Sequence, residues 1–152
     1  MDQLRKVEEF MEVMGQEIKS EPVILDEQTW NLRIGLIEEE LKELKDAYKD
    51  RDKTEILDAL GDLSYVLHGL ILASGFKDEF KKAFQEIHDS NMSKTCSNLE
   101  DAEKSIDNLT EQFPGEAFYY ELINDRYVIK RESDGKVMKG INYFKPVLWK
   151  SN

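Results

Sequence analysis

Three glutamates in the segment IEEELKEL have the spacing to act together on one side of a helix. Glu39, Glu40 and Glu43 lie within an arc of about 100°, since successive residues of an α-helix are about 100° apart. Glu38 projects to the other flank of the apolar stripe. Because acidic runs on helices are usually solvated surface, these glutamates alone are weak evidence of a functional site.

A second acidic group follows on the next predicted helix. Glu55, Asp58 and Asp62 are spaced by three and four residues and therefore share one helical face. Asp62 stands at the edge of the apolar stretch that begins at Leu63, where we expect an unpaired charge to be costly. Carboxylates on adjacent helices also raise each other's pKa unless a cation intervenes, and Arg33 is the main basic residue facing them.

A divalent metal is the simplest counter-charge for these two groups. Oxygen-only ligands favour magnesium, manganese or calcium over zinc or copper, and no calcium loop of the helix-loop-helix type is present. We therefore expect Mg²⁺, with Mn²⁺ as a possible substitute. Magnesium held by carboxylates commonly takes further ligands from water and substrate phosphates, which indicates phosphate chemistry. The opposing interpretation is that Arg33, Lys42, Lys45 and Lys53 neutralise the acids in ordinary surface pairs.

The spacing of apolar residues predicts the helices that carry these groups. A first amphipathic helix should end near Gly15 to Ser20, and the second should run from about Glu27 to Lys49. The third should start after Asp50 to Lys53 and reach about Ala73. Its second half is apolar nearly all round, which predicts a helix covered on every side. A fourth helix is expected over roughly Lys77 to His88, and a fifth over Leu99 to Phe113.

The last forty residues predict a small two- or three-stranded β-hairpin. The segments YYELI and RYVIK flank Asn124 and Asp125, and a second turn signal, Ser133-Asp134-Gly135, precedes KVMKG. The fold class is therefore mainly α, a bundle of four or five helices with a C-terminal β-hairpin. We expect one domain over 1–152, helical to about 113, with the hairpin appendage at about 116–145.

Composition excludes several classes of function. A formal charge of −11 over 152 residues opposes binding to nucleic acid or to anionic membranes. Cys96 is the only cysteine, so an intramolecular disulfide and a zinc site built on several thiolates are excluded. The first twenty residues carry charges throughout, unlike a signal peptide. These features favour a reducing cytoplasm, whether of a bacterium or, for a viral protein, of its host.

Several segments resemble one enzyme family. Glu39-Glu40-Leu41-Lys42-Glu43 resembles the EExxE motif of MazG-like pyrophosphohydrolases, and Glu55-Ile56-Leu57-Asp58 resembles the ExxD motif of the next helix. The segments RIGLIEEELKEL, EILDALGDLSYVLHG, IHDSNMSK and SDGKVMKG are similar to the phosphoribosyl-ATP-pyrophosphohydrolase-like branch. An alignment on Gly61-Asp62-Leu63 would instead put Ala59 where the glutamate of ExxD is expected.

The resemblance implies a magnesium-dependent hydrolase that converts a (deoxy)nucleoside triphosphate into the monophosphate and pyrophosphate. It implies that Glu39 or Glu40 activates water. It also implies that substrate is contacted by Asn91 and Lys94, and Tyr65 is a further candidate for the ribose. The residues expected to bind the metal ions are Glu39, Glu40, Glu43, Glu55, Asp58 and Asp62.

Family members are dimers or tetramers, so the resemblance also implies a homodimer or homotetramer. Two other functions remain open. One is phosphoribosyl-ATP pyrophosphohydrolase of histidine biosynthesis, which would use the same metal chemistry. The other is a non-catalytic acidic helical adaptor, which predicts no stabilisation by magnesium. A di-iron bundle would need Glu-x-x-His pairs, which the sequence lacks. The preferred base is not predicted, although deoxynucleotides are favoured.

Overall fold

The computed structural model describes residues 3–148, which form five helices and a two-stranded antiparallel hairpin. The prediction of a mainly α fold with a C-terminal hairpin is confirmed. The elements in chain order are α1 (Gln3–Val13), α2 (Glu27–Asp50), α3 (Lys53–Ala73), α4 (Lys77–Met92), α5 (Leu99–Gln112), β1 (Phe118–Ile123) and β2 (Arg126–Arg131).

Local capping explains where the two central helices begin and end. The Asp26 carboxylate accepts a hydrogen bond from the Thr29 N–H and starts α2. Arg51 ends it in the left-handed conformation, with φ at 55°. The Asp52 carboxylate then accepts from the N–H groups of Thr54 and Glu55 and starts α3. This two-residue connection makes α2 and α3 an antiparallel helical hairpin.

Contacts divide the chain into two compact units, Met1–Phe80 and Lys81–Asn152, and α4 begins in the first and continues into the second. The core of the first unit joins one face of α1 to the C-terminal end of α3. Its buried members are Leu4, Val7, Met11, Ile71, Leu72 and Ala73. Whether the chain folds as the single domain expected from the sequence stays a prediction.

The apolar half of α3 is covered less than its sequence suggests. Ile71 to Ala73 are buried, but Leu67 is 44% exposed. Within the single chain, the expectation of a helix covered on every side is therefore wrong. By length and composition alone α3 is apolar enough to cross a membrane, which is weak evidence because core helices share these properties.

The second unit is built around α5 and the hairpin. β1 pairs with β2 through a turn at Asn124 and Asp125, whose φ values are 47° and 62°. Positive φ at both turn positions suits the right-handed twist of the strands. No third strand forms in the described residues, where Val137 makes only an isolated bridge to Lys130. α4 also continues to Met92, past the predicted end at His88.

Candidate active site

The antiparallel packing of α2 against α3 creates a cleft lined by carboxylates, here called the acidic cleft. Its volume is about 360 Å³. Ala47 and Ala59 are buried within it, and such small side chains let the two helices approach closely. The acidic residues that line it are Glu43, Asp46, Asp50, Glu55 and Asp58.

Glu40 is the most unusual carboxylate of this region. It is half-buried, and its Oε2 atom is buried without a hydrogen-bond partner. Burial raises the pKa of the Glu40 carboxyl, because the charged form loses solvation. Nearby negative charges raise this pKa further, and they belong to Glu43, Asp62, Glu39 and Asp58. An uncompensated carboxylate in such surroundings favours binding a cation.

The structure brings the six predicted metal ligands to one side of the α2–α3 hairpin. Four of them, Glu43, Asp62, Glu39 and Asp58, act electrostatically on Glu40. The sixth, Glu55, lines the acidic cleft with Glu43 and Asp58. In residues 3–148, however, no three acidic, histidine or cysteine side chains are already arranged to hold a metal ion. Of the six predicted ligands, only Glu40 is half-buried, and the other five are exposed.

Two expectations about the site's surroundings are wrong. Asp62 was expected to place its carboxylate in apolar surroundings, but it is exposed. The carboxylate with a buried oxygen atom is that of Glu40. Arg33 forms no ion pair with the acids in residues 3–148. Its Nη2 donates to Gln16 Oε1 over 3.2 Å, and a Cβ atom at Gly69 would lie 3.0 Å from its Nη1. The physical reason is that Arg33 reaches toward the N-terminal end of α2, away from Glu40.

The available lysines do not neutralise the predicted ligands. Lys42 and Lys49 both pair with Asp46, at 3.2 Å and 2.7 Å. Across the described range 3–148, no lysine or arginine forms an ion pair with any of the six ligands. The ion pairs that the surface-pair interpretation requires are therefore not formed by the six predicted ligands in the described residues. The unpaired Glu40 oxygen and an all-oxygen donor set fit a hard divalent cation such as Mg²⁺.

Two residues of the acidic cleft were missed by the sequence reasoning, Asp46 and Asp50. Hydrogen bonds from Lys49 and Lys42 lower the pKa of Asp46, so its charge is already compensated. Asp50 ends α2 and lines the cleft opposite Glu55. The signal was present, since both continue the three- and four-residue spacing that starts at Glu39 and Glu43.

None of the three predicted substrate contacts is among the residues that line the acidic cleft. Tyr65 packs edge-on against Phe10 of α1, with ring centroids 5.6 Å apart. Asn91 and Lys94 belong to the second unit, where Lys94 Nζ donates to Asn91 Oδ1 over 2.8 Å. Asn91 lies in the last turn of α4 and not in the loop that was expected after it. Their roles as substrate contacts stay predictions.

Comparison with known proteins identifies relatives of this arrangement. A family model described as phosphoribosyl-ATP pyrophosphohydrolase matches residues 7–91, which include all six predicted metal ligands. An uncharacterized protein of Acanthamoeba polyphaga mimivirus is 34% identical over 106 residues. The match covers 68% of this chain and 41% of that protein, so the chain spans about two-fifths of the length of this curated relative.

Proposed function

This chain belongs to the phosphoribosyl-ATP pyrophosphohydrolase family, within the MazG-like superfamily, and on that premise we propose that it hydrolyses (deoxy)nucleoside triphosphates to monophosphates and pyrophosphate. The observation that carries the proposal is the Glu40 carboxylate, with its unpaired buried oxygen among four further acids and no paired lysine or arginine. Such a site attracts a divalent cation, and through it the phosphates of a nucleotide.

The proposed ligands of the metal come from both helices of the hairpin. They are Glu39, Glu40, Glu43, Glu55, Asp58 and Asp62. Mg²⁺, or Mn²⁺ in its place, would supply neutralisation of the phosphate oxygens and a lower pKa for bound water. The sharing of ligands between α2 and α3 explains why both acidic motifs are needed for one site.

The proton transfer is assigned to a glutamate of α2. Glu40 is proposed to accept a proton from the attacking water, because its buried Oε2 atom has no other hydrogen-bond partner. The water oxygen forms a bond to the α-phosphorus as the bond from that phosphorus to the α–β bridging oxygen breaks. The bridging oxygen leaves with the bonding electrons as part of pyrophosphate. Glu39 is the alternative base, although it is exposed to solvent.

The remaining parts of the proposal concern substrate and setting. Asn91 is proposed to bond the sugar or base, Lys94 to offset phosphate charge and Tyr65 to contact the ribose. The expected role is cleansing or adjustment of the nucleotide pool, in the cytoplasm of a bacterium or of a virus-infected host. A homodimer or homotetramer is the expected assembly, and nucleic acid and membrane are not expected partners.

A second candidate function is hydrolysis of phosphoribosyl-ATP in histidine biosynthesis. The description of the matching family model favours it, because that model is named after this substrate. The same carboxylates and the same metal chemistry would serve, since both substrates are cleaved between the α- and β-phosphates. The two candidates therefore differ in the group attached to the α-phosphate and not in the reaction.

Pyrophosphate release from a panel of NTPs, dNTPs and phosphoribosyl-ATP, with and without Mg²⁺, tests both candidates. Magnesium-dependent release from (deoxy)nucleoside triphosphates supports the first, and release from phosphoribosyl-ATP alone supports the second. If folded protein releases no pyrophosphate from any substrate of the panel, the acidic adaptor is favoured. A thermal melt with added Mg²⁺ separates these readings further, because an adaptor should not be stabilised by the metal.

A further inference from the structure

A larger cavity lies beside the N-terminal half of α2, also within the first unit. Its volume is about 610 Å³. Val23, Leu25 and Leu36 give it apolar walls, while Gln16 and Arg33 contribute polar groups. Cavities of this kind, apolar with a few placed polar groups, are typical of sites for small organic molecules.

The acidic residues that line the cavity are already engaged. Asp26 accepts hydrogen bonds from the N–H and the hydroxyl of Thr29, at 2.9 Å and 2.7 Å. Glu17 forms an ion pair with Lys19. Arg33 is therefore left as a cation without a carboxylate partner in residues 3–148.

Arg33 has donors to spare. Among the described residues its guanidinium makes one hydrogen bond, to Gln16, and its Nε atom is buried with no partner there. Desolvation lowers the pKa of the Arg33 guanidinium, although an arginine stays charged at neutral pH. A half-buried guanidinium with unused donors favours a ligand that presents hydrogen-bond acceptors.

The packing of α3 holds this guanidinium in the groove between the helices. Gly69 is buried, and a Cβ atom there would lie 3.0 Å from Arg33 Nη1. Any larger side chain at this position would have to push the guanidinium aside. The guanidinium of Arg33 therefore lies between α2 and α3, the two helices that carry the carboxylates.

Arg33 and Glu40 are separated along α2 by about the length of a nucleoside. Thr29, Arg33, Leu36 and Glu40 follow one another along one face of α2, and Arg33 and Glu40 are about 10 Å apart along the helix axis. A nucleotide whose α-phosphate lies near Glu40 can thus extend its base along the groove toward Arg33. This continuity applies only if the proposed hydrolysis of nucleotides is correct.

We propose that this cavity binds the substrate's nucleobase and that Arg33 selects bases with keto oxygens. Guanine presents O6 beside N7, and arginine pairs with both acceptors. Cytosine and uracil also present carbonyl oxygens. Adenine instead places an amino donor beside its ring nitrogens, which opposes a guanidinium. The apolar walls cover the faces of the base.

Steady-state hydrolysis of dGTP, dCTP, dUTP and dATP by wild type, Arg33→Gln and Arg5→Gln tests the proposal. Arg5 is the matched control, because it is an exposed arginine of α1 that does not line the cavity. Wild type should prefer at least one keto nucleotide to dATP. Arg33→Gln should raise KM for that nucleotide about tenfold, the equivalent of one lost hydrogen bond, and remove the preference. Arg5→Gln should keep it.

Arg33→Lys provides a second variant if Arg33→Gln does not fold, because it retains the charge and loses the planar fork of donors. It should also lose the preference among bases. Hydrolysis that continues with unchanged base preference in both folded variants overturns the inference and leaves the proposed hydrolase intact.

Equilibrium binding of dGMP, dCMP, dUMP and dAMP by calorimetry separates the two failures. The protein could hydrolyse no nucleotide and still bind keto monophosphates in an Arg33-dependent manner. That result would support nucleobase binding in the cavity and contradict the proposed hydrolysis. Inorganic phosphate that binds as tightly as the monophosphates, with the same dependence on Arg33, would identify a plain anion site and overturn the inference.

Discussion

Individual carboxylates of α2 divide into paired and unpaired ones. Asp46 accepts hydrogen bonds from Lys49 and Lys42, which lower its pKa and compensate its negative charge. Glu40 has no such partner for its buried oxygen. The two acids differ chiefly in their hydrogen-bond partners. We therefore assign the functional role to Glu40, whose buried oxygen is unpaired, and not to Asp46.

Substitution of Glu40 tests the assignment of the base. We expect Glu40→Gln to lower kcat by about a hundredfold or more, the typical contribution of a positioned general base. The matched control is Glu38→Gln, since Glu38 is an exposed glutamate of the same helix. Magnesium-dependent pyrophosphate release measures both variants. Full turnover in Glu40→Gln would show that the base lies elsewhere, with Glu39 the next residue to replace.

The raised pKa of Glu40 also predicts a dependence of stability on pH. Its folded-state pKa lies above the unfolded value, so ionisation of this carboxyl costs stability at neutral pH. Without metal, Glu40→Gln should therefore be more stable than wild type at neutral pH. The gain should shrink as the pH falls through the raised pKa, because the wild-type carboxyl then becomes protonated.

Urea denaturation with a chelator, repeated over a series of pH values, measures this difference in the free energy of unfolding. Glu38→Gln again serves as the reference, and it should show a smaller gain. A Glu40→Gln advantage that is absent at neutral pH, or that grows in acid, would contradict the assigned environment of Glu40.

Lys94 gives a prediction about substrate affinity. If Lys94 offsets phosphate charge, Lys94→Ala should raise KM about tenfold with a smaller effect on kcat, because a ground-state contact is lost. Steady-state kinetics on the best nucleotide of the panel measures this. Lys145→Ala serves as the control lysine from the same unit. An unchanged KM would show that Lys94 does not bind the substrate. Its contact would then be the hydrogen bond that it donates to Asn91.

At the scale of elements, the segment between α1 and α2 is fastened to the end of α3. The Val23 N–H donates to the Ser74 carbonyl at 3.0 Å, and the Lys19 N–H donates to the Leu72 carbonyl at 3.2 Å. Gly75 closes this contact with φ at 75°, and a Cβ atom there would lie 1.9 Å from the Glu21 carbonyl oxygen. The fastening holds one wall of the cavity beside Arg33.

Gly75→Ala should therefore destabilise the protein by about 3 kcal/mol or more, from the positive φ together with the backbone clash. Gly15→Ala is the matched control, because Gly15 has φ at 65° but no atom within 4 Å of a Cβ. We expect it to cost only about 1 kcal/mol. Thermal and urea unfolding compare the two. Equal losses would mean that the segment moves away from α3 at little cost.

At the scale of the whole molecule, α3 leaves an apolar stripe uncovered. Leu57, Leu60 and Leu67 are 71%, 49% and 44% exposed, and their spacing places them on one side of the helix. An exposed apolar stripe of this kind favours contact with another protein surface. It supports the proposal of a homodimer or homotetramer that packs through its central helices.

The double substitution Leu60→Lys and Leu67→Lys should convert that assembly into a monomer, since charges would be buried at the interface. Sedimentation equilibrium measures the mass. Val13→Lys is the control, because Val13 is an exposed apolar residue at the end of α1, outside the stripe. A monomeric wild type, or an unchanged mass in the double variant, would contradict an interface through this stripe.

Local patterns in the sequence are enough to predict the helices and to reveal the two acidic motifs. Helical spacing of apolar residues, caps such as Asp52 and the Asn124-Asp125 turn are local signals, so they can be recognised without a partner in space. The motifs that carry the family resemblance are local as well. The structure confirms the helices and the hairpin, and the family match confirms the resemblance.

The surroundings of these residues depend on contacts between helices, which local patterns do not record. That Glu40 rather than Asp62 has the buried oxygen and that Arg33 lies beside Gly69 both depend on the rotation of α2 against α3. The exposure of Leu67 is decided in the same way. Burial and pairing arise between segments distant in sequence, and a helical pattern records which face is apolar but not what covers it.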